Sequence, residues 1–310
     1  MPLSRRRLIA LLSALPFAPH ALAATPESHA LPALPPPQVI PLYDGPAPGS
    51  EQWAQQEVYE ADGDNHIYRN VTRPQVLAYR PAQPNGMAVM LVPGGAFYFL
   101  SMANEGDDTA QKLLARGFTV FLLKYRLIAS RKETWHQEAD QRLSRPGWEK
   151  SLEDEIGAIV LADAQRAMTL VRQRAGEFHV AANRIGILGF SAGGYIATRL
   201  SLEHSLESRP DFTGCIYGVK PPRLPERVPD LPPLFMAWAD DDDLVQPERC
   251  ALPLYELWKR EKVPVEMHIF ARGQHGFGSL NYHRPSDHWL ELFMEWAESM
   301  TGAVAMPRRG

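Results

Sequence analysis

The sequence contains little cysteine. Only two of its 310 residues are cysteines, Cys215 and Cys250, which is too few for a disulfide framework or for a zinc site built from cysteines. We expect both thiols to be buried and free. A single disulfide between them is the alternative for an exported protein.

An excess of charge of either sign is also lacking. The formal net charge is −4, and 22% of the residues are charged against 45% that are hydrophobic. Outside the N-terminus no basic cluster is dense enough to follow a phosphate backbone, which excludes a nucleic-acid-binding protein. A chain of this length and composition is typical of one globular α/β domain with a large core.

The sequence has no hydrophobic run that predicts a stable membrane span. The apolar stretch from Leu8 to Ala18 is too short to cross a bilayer. It follows the basic segment 1–7 and precedes a small-x-small pattern at residues 21–23. These three parts predict a signal peptide over residues 1–23 and a periplasmic or secreted protein. The paired arginines fit a twin-Arg leader as well as an ordinary secretory signal, and both interpretations remain open.

Proline, by contrast, is plentiful, and it is dense in residues 24–50. We predict an extended linker over this range, outside the core. We expect residues 51–310 to form a single domain. Within that domain, residues 129–151 are polar and interrupt the regular pattern. They are either a lid insertion over the catalytic end of the sheet or a solvated helical excursion.

Apolar runs alternate with segments of helical periodicity along the domain. Strands are predicted at 58–59, 75–79, 87–92, 118–123, 184–188, 212–217, 234–239 and 263–270, and helices at 105–116, 156–174, 195–202, 247–261 and 286–300. Strand, helix and strand in succession form right-handed parallel crossovers. The alternation therefore predicts an α/β fold with one doubly wound, mostly parallel sheet.

A glycine-rich turn stands between one buried strand and the next helix. Residues 189–194 read Gly-Phe-Ser-Ala-Gly-Gly, which matches the Gly-x-Ser-x-Gly nucleophile elbow and places Ser191 at its apex. A helix start with a serine N-cap would give the same residues. The two interpretations differ in backbone geometry, because an elbow requires a strained Ser191 with positive φ.

A serine nucleophile needs a base, and the base needs an orienting acid. His275 lies in a glycine-flanked turn after the last predicted strand, which favours the role of base over that of a surface residue. Four aspartates, residues 240–243, follow the preceding strand. Because adjacent carboxylates repel one another, we expect at least three to face solvent or cap the next helix, and one to face His275.

Backbone donors for an oxyanion are predicted on two turns. The N–H of Ala192 begins the elbow helix, and a Pro-Gly-Gly-Ala-Phe turn follows the strand at 87–92. We predict an oxyanion hole formed by Ala192 together with Gly95 or Ala96. Bulky side chains come directly after this turn, so we expect the rings of Phe97 and Tyr98 to wall the acyl pocket.

Taken in order, six segments resemble the α/β-hydrolase esterases related to bacterial acetyl-xylan and feruloyl esterases, some of which are labelled xylanase B-like. The segments are 93–97, 123–127, 163–174, 189–194, 242–245 and 273–278. The resemblance covers about residues 71–297. It implies Ser191 as nucleophile, His275 as base and Asp242, in the family's Asp-x-x-Val pattern, as acid. Ala96 departs from the family by standing where a third glycine is usual, and the neighbouring aspartates blur the assignment of the acid.

This resemblance implies a secreted serine esterase that hydrolyses short acyl esters, acetyl above all, carried on a carbohydrate such as acetylated xylan. The expected partner is a small-molecule or oligosaccharide ester, no metal or organic cofactor is expected, and no oligomeric state is predicted. A serine peptidase of the same fold is the alternative enzyme, although such peptidases usually carry a large extra domain. A non-catalytic binding protein on a hydrolase scaffold is the alternative from another class.

Overall fold

The computed structural model of the protein describes residues 33–63 and 65–301. The predicted signal peptide, residues 1–23, and the first part of the predicted linker, residues 24–32, lie outside the described residues. Among the residues that are described, no helix is both long enough and apolar enough to cross a membrane.

The described strands form a large central sheet and a small second sheet. The strands are β1 (Gln38–Pro41), β2 (Val58–Asp62), β3 (Asn65–Arg69), β4 (Gln75–Tyr79), β5 (Ala88–Val92), β6 (Phe99–Ser101), β7 (Thr119–Lys124), β8 (Ile185–Phe190), β9 (Thr213–Ile216), β10 (Leu234–Ala239) and β11 (Val265–Phe270). The central sheet has the order β1-β4-β7-β5-β8-β9-β10-β11, and the second sheet has the order β2-β3-β6.

The central sheet is mostly parallel. Its strands from β7 to β11 all run in one direction, whereas β4 pairs antiparallel with both of its neighbours. Every residue of β5, β7, β8 and β10 is buried, as expected when helices cover both faces of a parallel sheet. This confirms the predicted α/β fold class. It also places the loops after these strands along one edge, where ligands bind in such sheets.

Seven α-helices of the described residues surround this sheet. They are α1 (Asp108–Ala115), α2 (Trp135–Leu143), α3 (Trp148–Leu152), α4 (Ala158–Gln173), α5 (Ala192–Leu202), α6 (Pro247–Arg260) and α7 (Trp289–Thr301). π-Helical turns at Ala103–Asp107 and Glu153–Gly157 lead into α1 and α4. Helix α5 packs directly against β8 and β9, which fixes the position of the turn between β8 and α5.

The prediction that residues 24–50 lie outside the core is wrong for the segment that begins at β1. This strand extends the central sheet by pairing with β4, and Ile40 and Leu42 are buried. Pro41 is tolerated because it stands at the end of an edge strand, where a missing N–H does little harm to the ladder. Proline density therefore did not exclude β-structure here.

A buried ion pair holds the residues that follow β1. Arg126 is fully buried against Asp163, with Nη2 2.7 Å from Oδ1. The same guanidinium donates from Nη1 to the Pro48 carbonyl at 2.7 Å and to Ser50 Oγ at 2.9 Å. A buried charge is tolerated only when it is paired and hydrogen-bonded, so these acceptors attach the proline-rich segment to the domain.

The second sheet is largely missing from the sequence prediction, which includes only residues 58–59 of it. β3 begins with the polar residues Asn65 and His66, and β6 is three residues long and buried throughout. Neither has the alternation of apolar and polar residues by which a strand is recognised. Their pairing with each other, rather than local preference, makes them strands.

Residues 129–151 contain α2 and most of α3. Trp135 is buried, with its ring centroid 5.0 Å from that of Phe99 in β6 and 5.7 Å from the Arg69 guanidinium. The Arg142 guanidinium lies 5.8 Å from the centroid of the Tyr98 ring. These helices are therefore packed beside the turn that follows β5 and are not a fully solvated excursion. Their action as a lid stays a prediction.

Both cysteines are buried and free, as expected. Burial raises the pKa of the Cys215 thiol to about 12 and also raises the pKa of Cys250. Neither side chain is therefore a thiolate near neutral pH, and both behave as small apolar groups in the core.

Candidate active site

Ser191 lies at the sharp turn between β8 and α5. Its backbone has φ 49° and ψ −113°, which is unfavourable for a residue with a side chain. This confirms the positive φ predicted for a nucleophile elbow. Gly193 permits the turn, because a Cβ at this position would lie 2.0 Å from the carbonyl oxygen of Val92. The Ser191 N–H donates to the carbonyl of Ile216 at 3.0 Å, which attaches the turn to the end of β9.

Three side chains form a continuous hydrogen-bonded chain at the carboxyl edge of the sheet. Ser191 Oγ lies 2.9 Å from His275 Nε2, and His275 Nδ1 lies 2.8 Å from Asp242 Oδ2. Asp242 Oδ1 accepts the backbone N–H groups of Leu244 and Val245 at 3.0 and 2.8 Å. The fixed carboxylate favours the imidazole tautomer with its proton on Nδ1. Nε2 can then accept the proton of the serine hydroxyl.

The four aspartates after β10 occupy different environments. Asp242 is 2% exposed and faces His275. Asp240 and Asp243 are exposed, as expected for adjacent carboxylates that repel one another. The structure thus brings one aspartate to the imidazole, and it is the residue that the family pattern implies. The role of Asp242 as the orienting acid stays a prediction.

The loop that carries His275 is held from two sides. Asp241 Oδ1 accepts two backbone N–H groups at the start of the loop, at 2.8 and 2.7 Å. From the other side, Asn104 Oδ1 accepts the N–H of Ser279 at 2.6 Å. Asp241 and Asn104 are therefore positioning residues that the sequence analysis does not identify. The sequence does not predict which side chains accept the N–H groups of a loop, because the donors are backbone atoms that almost every residue has.

The turn after β5 lies close to the elbow. A Cβ added to Gly94 would be 2.8 Å from Ser191 Cβ. Gly95 has φ +130°, and its Cβ would lie 2.0 Å from a backbone carbonyl oxygen, so only glycine fits. Ala96 follows with φ 52°. Ala192 is the first residue of α5, where backbone N–H groups lack intrahelical acceptors. These are the donors that the predicted oxyanion hole requires, and their role stays a prediction.

Phe97 and Tyr98, the predicted walls of the acyl pocket, are each 4% exposed. The ring of Phe97 is edge-on to that of Tyr195 in α5, with centroids 5.6 Å apart. Burial raises the pKa of Tyr98, and the charge of Arg142 opposes this rise in part. Tyr98 is therefore a neutral phenol. The packing fixes both rings at the end of the turn that follows β5, and their contact with an acyl group stays a prediction.

Two buried polar residues beside these groups are missing from the sequence prediction. Glu105 is 3% exposed, and its Oε2 accepts the Gly94 N–H at 2.7 Å. Tyr217 is fully buried, and its ring centroid lies 5.1 Å from that of His275. Helical spacing gives a signal for Glu105, because it shares a face with Leu113, eight residues on. The sequence gives no signal for Tyr217, because this residue resembles an ordinary apolar residue at the end of the strand predicted at 212–217.

The surroundings of His275 shift its pKa in opposing directions. Burial disfavours the imidazolium ion and lowers the pKa. The charge and hydrogen bond of Asp242, and the charge of Glu105, act the other way and outweigh burial. The net effect raises the pKa above the ordinary value for histidine. A base with a pKa nearer the working pH is better suited to general acid–base catalysis.

Within residues 33–63 and 65–301, no group of three or more His, Cys, Asp or Glu side chains is placed to hold a metal ion. The expectation that the site needs no metal or organic cofactor stays a prediction. The groups gathered at Ser191 are a hydroxyl, an imidazole, a carboxylate and backbone donors. This set is chemically suited to acyl transfer.

A model of the dienelactone hydrolase family matches residues 75–291, from β4 to the first turn of α7. The chain belongs to the dienelactone hydrolase family. The region shared with the dienelactone hydrolases contains Ser191, Asp242 and His275. The family assignment confirms the predicted α/β-hydrolase fold and the prediction that the chain belongs to the hydrolases.

Two curated relatives are similar to this dienelactone hydrolase family member. An acetylxylan esterase of Xylanibacter ruminicola is 24% identical over 258 residues, covering 74% of this chain and 48% of the relative. An endo-1,4-beta-xylanase B of Butyrivibrio fibrisolvens is 23% identical over 229 residues, covering 62% of this chain and 33% of the relative. The predicted resemblance to acetyl-xylan esterases is confirmed. The chain spans about half and about a third, respectively, of the length of these relatives.

Solved structures show the same fold. An acetyl ester-xyloside bifunctional hydrolase from Caldicellulosiruptor lactoaceticus aligns with a TM-score of 0.57 and 22% identity, covering 86% of this chain and 97% of that chain. The butyrate-bound esterase Est2 from Thermogutta terrifontis aligns with a TM-score of 0.56 and 20% identity, covering 76% of this chain and 92% of that chain. At these identities the likeness concerns the fold alone.

Proposed function

We propose that this member of the dienelactone hydrolase family is a serine esterase that hydrolyses short acyl esters through a covalent intermediate on Ser191. The observation that carries the proposal is the hydrogen-bonded chain from Ser191 Oγ through His275 to Asp242. The positive φ of Ser191 supports it, because this strain presents the hydroxyl at the apex of the elbow.

In the acylation step, His275 Nε2 takes the proton of Ser191 as the oxygen attacks the ester carbonyl carbon. The C–O bond to the serine forms while the carbonyl oxygen becomes an oxyanion, which the N–H groups of Ala192 and of Gly95 or Ala96 stabilise. The leaving-group C–O bond then breaks, and the imidazolium donates its proton to the departing alcohol. Asp242 stabilises the imidazolium without itself becoming protonated.

In the deacylation step, water replaces the alcohol. His275 accepts a proton from the water as its oxygen attacks the acyl carbon, and the oxyanion again forms opposite the same backbone donors. When the bond to Ser191 breaks, the imidazolium returns its proton to the serine oxygen. The carboxylic acid leaves, and the site regains its initial protonation state.

We propose that the acyl group is acetyl and that a carbohydrate, such as xylan, carries it. The relative that is an acetylxylan esterase supports this substrate class. Ala96 supports a short acyl group, because it adds a methyl where the resembling esterases usually have glycine. Release of acetate from acetylated xylo-oligosaccharides tests the proposal. Cleavage of peptides without release of acetate would favour the peptidase alternative instead.

On a series of aryl esters with one leaving group, we expect kcat/KM to be highest for acetyl and to fall steeply by butyryl. In an open apolar pocket each added methylene would contribute roughly 1 kcal/mol of binding, whereas a methylene that does not fit destabilises the complex through strain. The measurement compares acetyl, propionyl, butyryl and octanoyl esters. A maximum at octanoyl would show a deep pocket and would refute acetyl specificity.

The matched variant for this series is Ala96→Gly. It removes one methyl group at a position with φ 52°, where glycine is under no strain. We expect the ratio of butyryl to acetyl kcat/KM to rise in the variant while the acetyl rate changes little. An unchanged ratio would show that Ala96 does not limit the pocket.

We expect kcat/KM for the acetyl ester to fall as the pH is lowered through the pKa of His275, because only the neutral imidazole can accept the serine proton. Since the pKa of His275 is raised, the loss should occur above the pH at which an ordinary histidine titrates, about 6.5. A pH–rate profile measures this directly. His268→Gln is the control, since this histidine bonds Glu266 in β11, and its profile should match that of the parent. An acid limb below the ordinary value would contradict the electrostatic account.

We further propose that residues 1–23 direct export and that the mature protein is periplasmic or secreted. The basic, apolar and small-residue segments of this range support the proposal. N-terminal sequencing of the protein recovered outside the cytoplasm tests it, with residue 24 as the expected first residue. An unprocessed N-terminus in cytoplasmic material alone would reject it.

A further inference from the structure

Glu105 is a buried carboxylate that the proposed reaction does not use. It lies in the π-helical turn before α1 and is 3% exposed. Oε2 accepts the N–H of Gly94 at 2.7 Å, and Oε1 lies 2.9 Å from the hydroxyl of Tyr217. Leaving a carboxylate unpaired in the core is costly, and here both oxygens are matched to donors.

The direction of each hydrogen bond follows from the chemistry of the groups. The backbone N–H of Gly278 donates to the Tyr217 hydroxyl oxygen at 3.1 Å. The hydroxyl proton is therefore available for Glu105 Oε1, which completes a chain from Gly278 through Tyr217 and Glu105 to Gly94. Glu105 must therefore accept with both of its oxygens, because the Gly94 N–H and the Tyr217 hydroxyl both donate to it.

The two ends of this chain are the two loops that the reaction requires. Gly94 belongs to the turn after β5 that carries the proposed oxyanion donors, and a Cβ added to it would lie 2.8 Å from Ser191 Cβ. Gly278 lies three residues after His275 on the same loop. Between them, the Tyr217 ring stands edge-on to the imidazole, with centroids 5.1 Å apart and an interplanar angle of 66°.

We infer that Glu105 is a positioning residue that couples the oxyanion turn to the His275 loop through Tyr217. The inference rests on the proposed function for its catalytic consequence. Glu105 hydrogen-bonds neither the nucleophile nor the base, and it acts by holding the backbone of one loop and the aromatic neighbour of the other. Displacement of reacting groups by about 1 Å can reduce a rate by about 100-fold, so a coupling of this kind affects turnover.

The backbone of the turn at Gly94 and the backbone at Tyr217 need such restraint. Gly95 has φ +130°, Ala96 has φ 52°, and Tyr217 has φ 37°. Glycine adopts a positive φ without strain, but alanine and tyrosine in such conformations are strained and persist only when the surrounding structure over-determines them. Glu105 supplies one such contact to the residue before Gly95 and another to the side chain of Tyr217. Without them, the strained turns have fewer interactions to hold them in place.

Glu105 also contributes to the electrostatics of the base. The groups that face His275 are Ser191 on the elbow, Asp242 after β10, Tyr217 after β9, and Glu105. The pKa of Tyr217 is raised well above its usual range by burial, so this phenol is neutral. Burial raises the pKa of Glu105, and the two hydrogen bonds that its oxygens accept oppose this rise and favour the carboxylate. The negative charge of that carboxylate raises the pKa of His275. Neutralising Glu105 should therefore make the imidazole less basic.

The test is Glu105→Gln, which keeps the shape of the side chain but replaces one acceptor by a donor. We expect kcat on an aryl acetate to fall about 10- to 100-fold while KM changes by less than about threefold, because alignment is lost and binding is not. We also expect the acid limb of the pH–rate profile to move to lower pH. A loss of kcat with an unmoved acid limb would indicate a purely structural role and would overturn the inference, as would an unchanged kcat.

Asp107→Asn is the matched control. Asp107 lies two residues along the same turn, but its Oδ2 pairs with His66 of β3 at 2.8 Å and reaches neither loop. Its kcat and pH profile should equal those of the parent. If Glu105→Gln does not fold, Tyr217→Phe replaces it, since this variant removes the hydroxyl and keeps the ring. We expect a loss of kcat of about tenfold or more from the same misalignment, and full activity in Tyr217→Phe would overturn the inference.

A second readout separates this inference from the proposed function. In a Ser191→Ala background, NMR titration of the His275 imidazole, assigned with His275→Gln, needs no turnover. We expect a lower His275 pKa when Glu105→Gln is added. An equal pKa would overturn the coupling even in an active esterase. Conversely, a shifted pKa in a protein without esterase activity would keep the coupling and reject the proposed function.

Discussion

Replacement of Ser191 by alanine should reduce turnover of an aryl acetate by about 10⁶-fold, the scale seen when the nucleophile of a serine hydrolase is removed. The substitution deletes the attacking atom and leaves the imidazole, the carboxylate and the backbone donors in place. A small residual rate above that of water should remain, because the oxyanion hole still stabilises the transition state. Steady-state kinetics with the purified variant measures the effect.

The control for this experiment is Ser201→Ala in the same helix. The Ser201 hydroxyl bonds the Ala197 carbonyl at 2.8 Å and lies 2.7 Å from Thr213 Oγ1. Its removal should lower stability by about 1 kcal/mol and leave kcat unchanged. Circular dichroism should show that Ser191→Ala retains the parent fold. Comparable activity in parent and Ser191→Ala proteins would exclude Ser191 as the nucleophile.

Asp242→Asn should reduce kcat by about 10⁴-fold, the loss known for the corresponding change in a serine protease triad. An amide can donate to Nδ1 and so favours the wrong imidazole tautomer, with Nε2 protonated and unable to accept the serine proton. The loss of the negative charge also removes the partner of the imidazolium. Kinetics across the pH range measures both effects, because the acid limb should shift to lower pH as kcat falls.

The neighbouring aspartates provide matched controls for this variant. Asp240→Asn and Asp243→Asn change exposed carboxylates and should leave kcat within about twofold, since surface charges contribute little. Asp241→Ala removes the acceptor of two loop N–H groups and should cost roughly tenfold through a misplaced His275. A loss at Asp243 that exceeded the loss at Asp242 would contradict the assignment of the acid.

The fold was predictable where sequence pattern and burial agree. Every residue of β5, β7, β8 and β10 is buried. Each strand is therefore a nearly continuous apolar run, which the sequence shows directly. β6 and β1 were not predictable in this way. β6 is a strand because β3 lies beside it, and β1 is a strand because β4 offers a free edge. Pairing of this kind depends on tertiary structure and leaves no local signal.

The site was predictable to the extent that its members carry recognisable motifs. The elbow around Ser191 and the turn of His275 have glycines at the positions that these motifs require. The family pattern then implies Asp242 as the acid. The residues that hold these turns, Glu105 and Asp241, act through backbone N–H groups of other loops. Almost every residue has a backbone N–H, so the sequence does not mark the one that a carboxylate will bond. Only the fold shows which carboxylate reaches which loop.

The most direct test of the account is covalent labelling of the site. The purified protein is incubated with an aryl phosphonate ester, which a serine nucleophile attacks at phosphorus with release of the phenol, leaving an adduct that water removes slowly. Peptide mapping by mass spectrometry should find one phosphonyl group per chain, on Ser191, and esterase activity should fall in proportion to labelling. Full activity in a completely labelled protein, or a label on another residue, would contradict the assignment of Ser191 as the nucleophile.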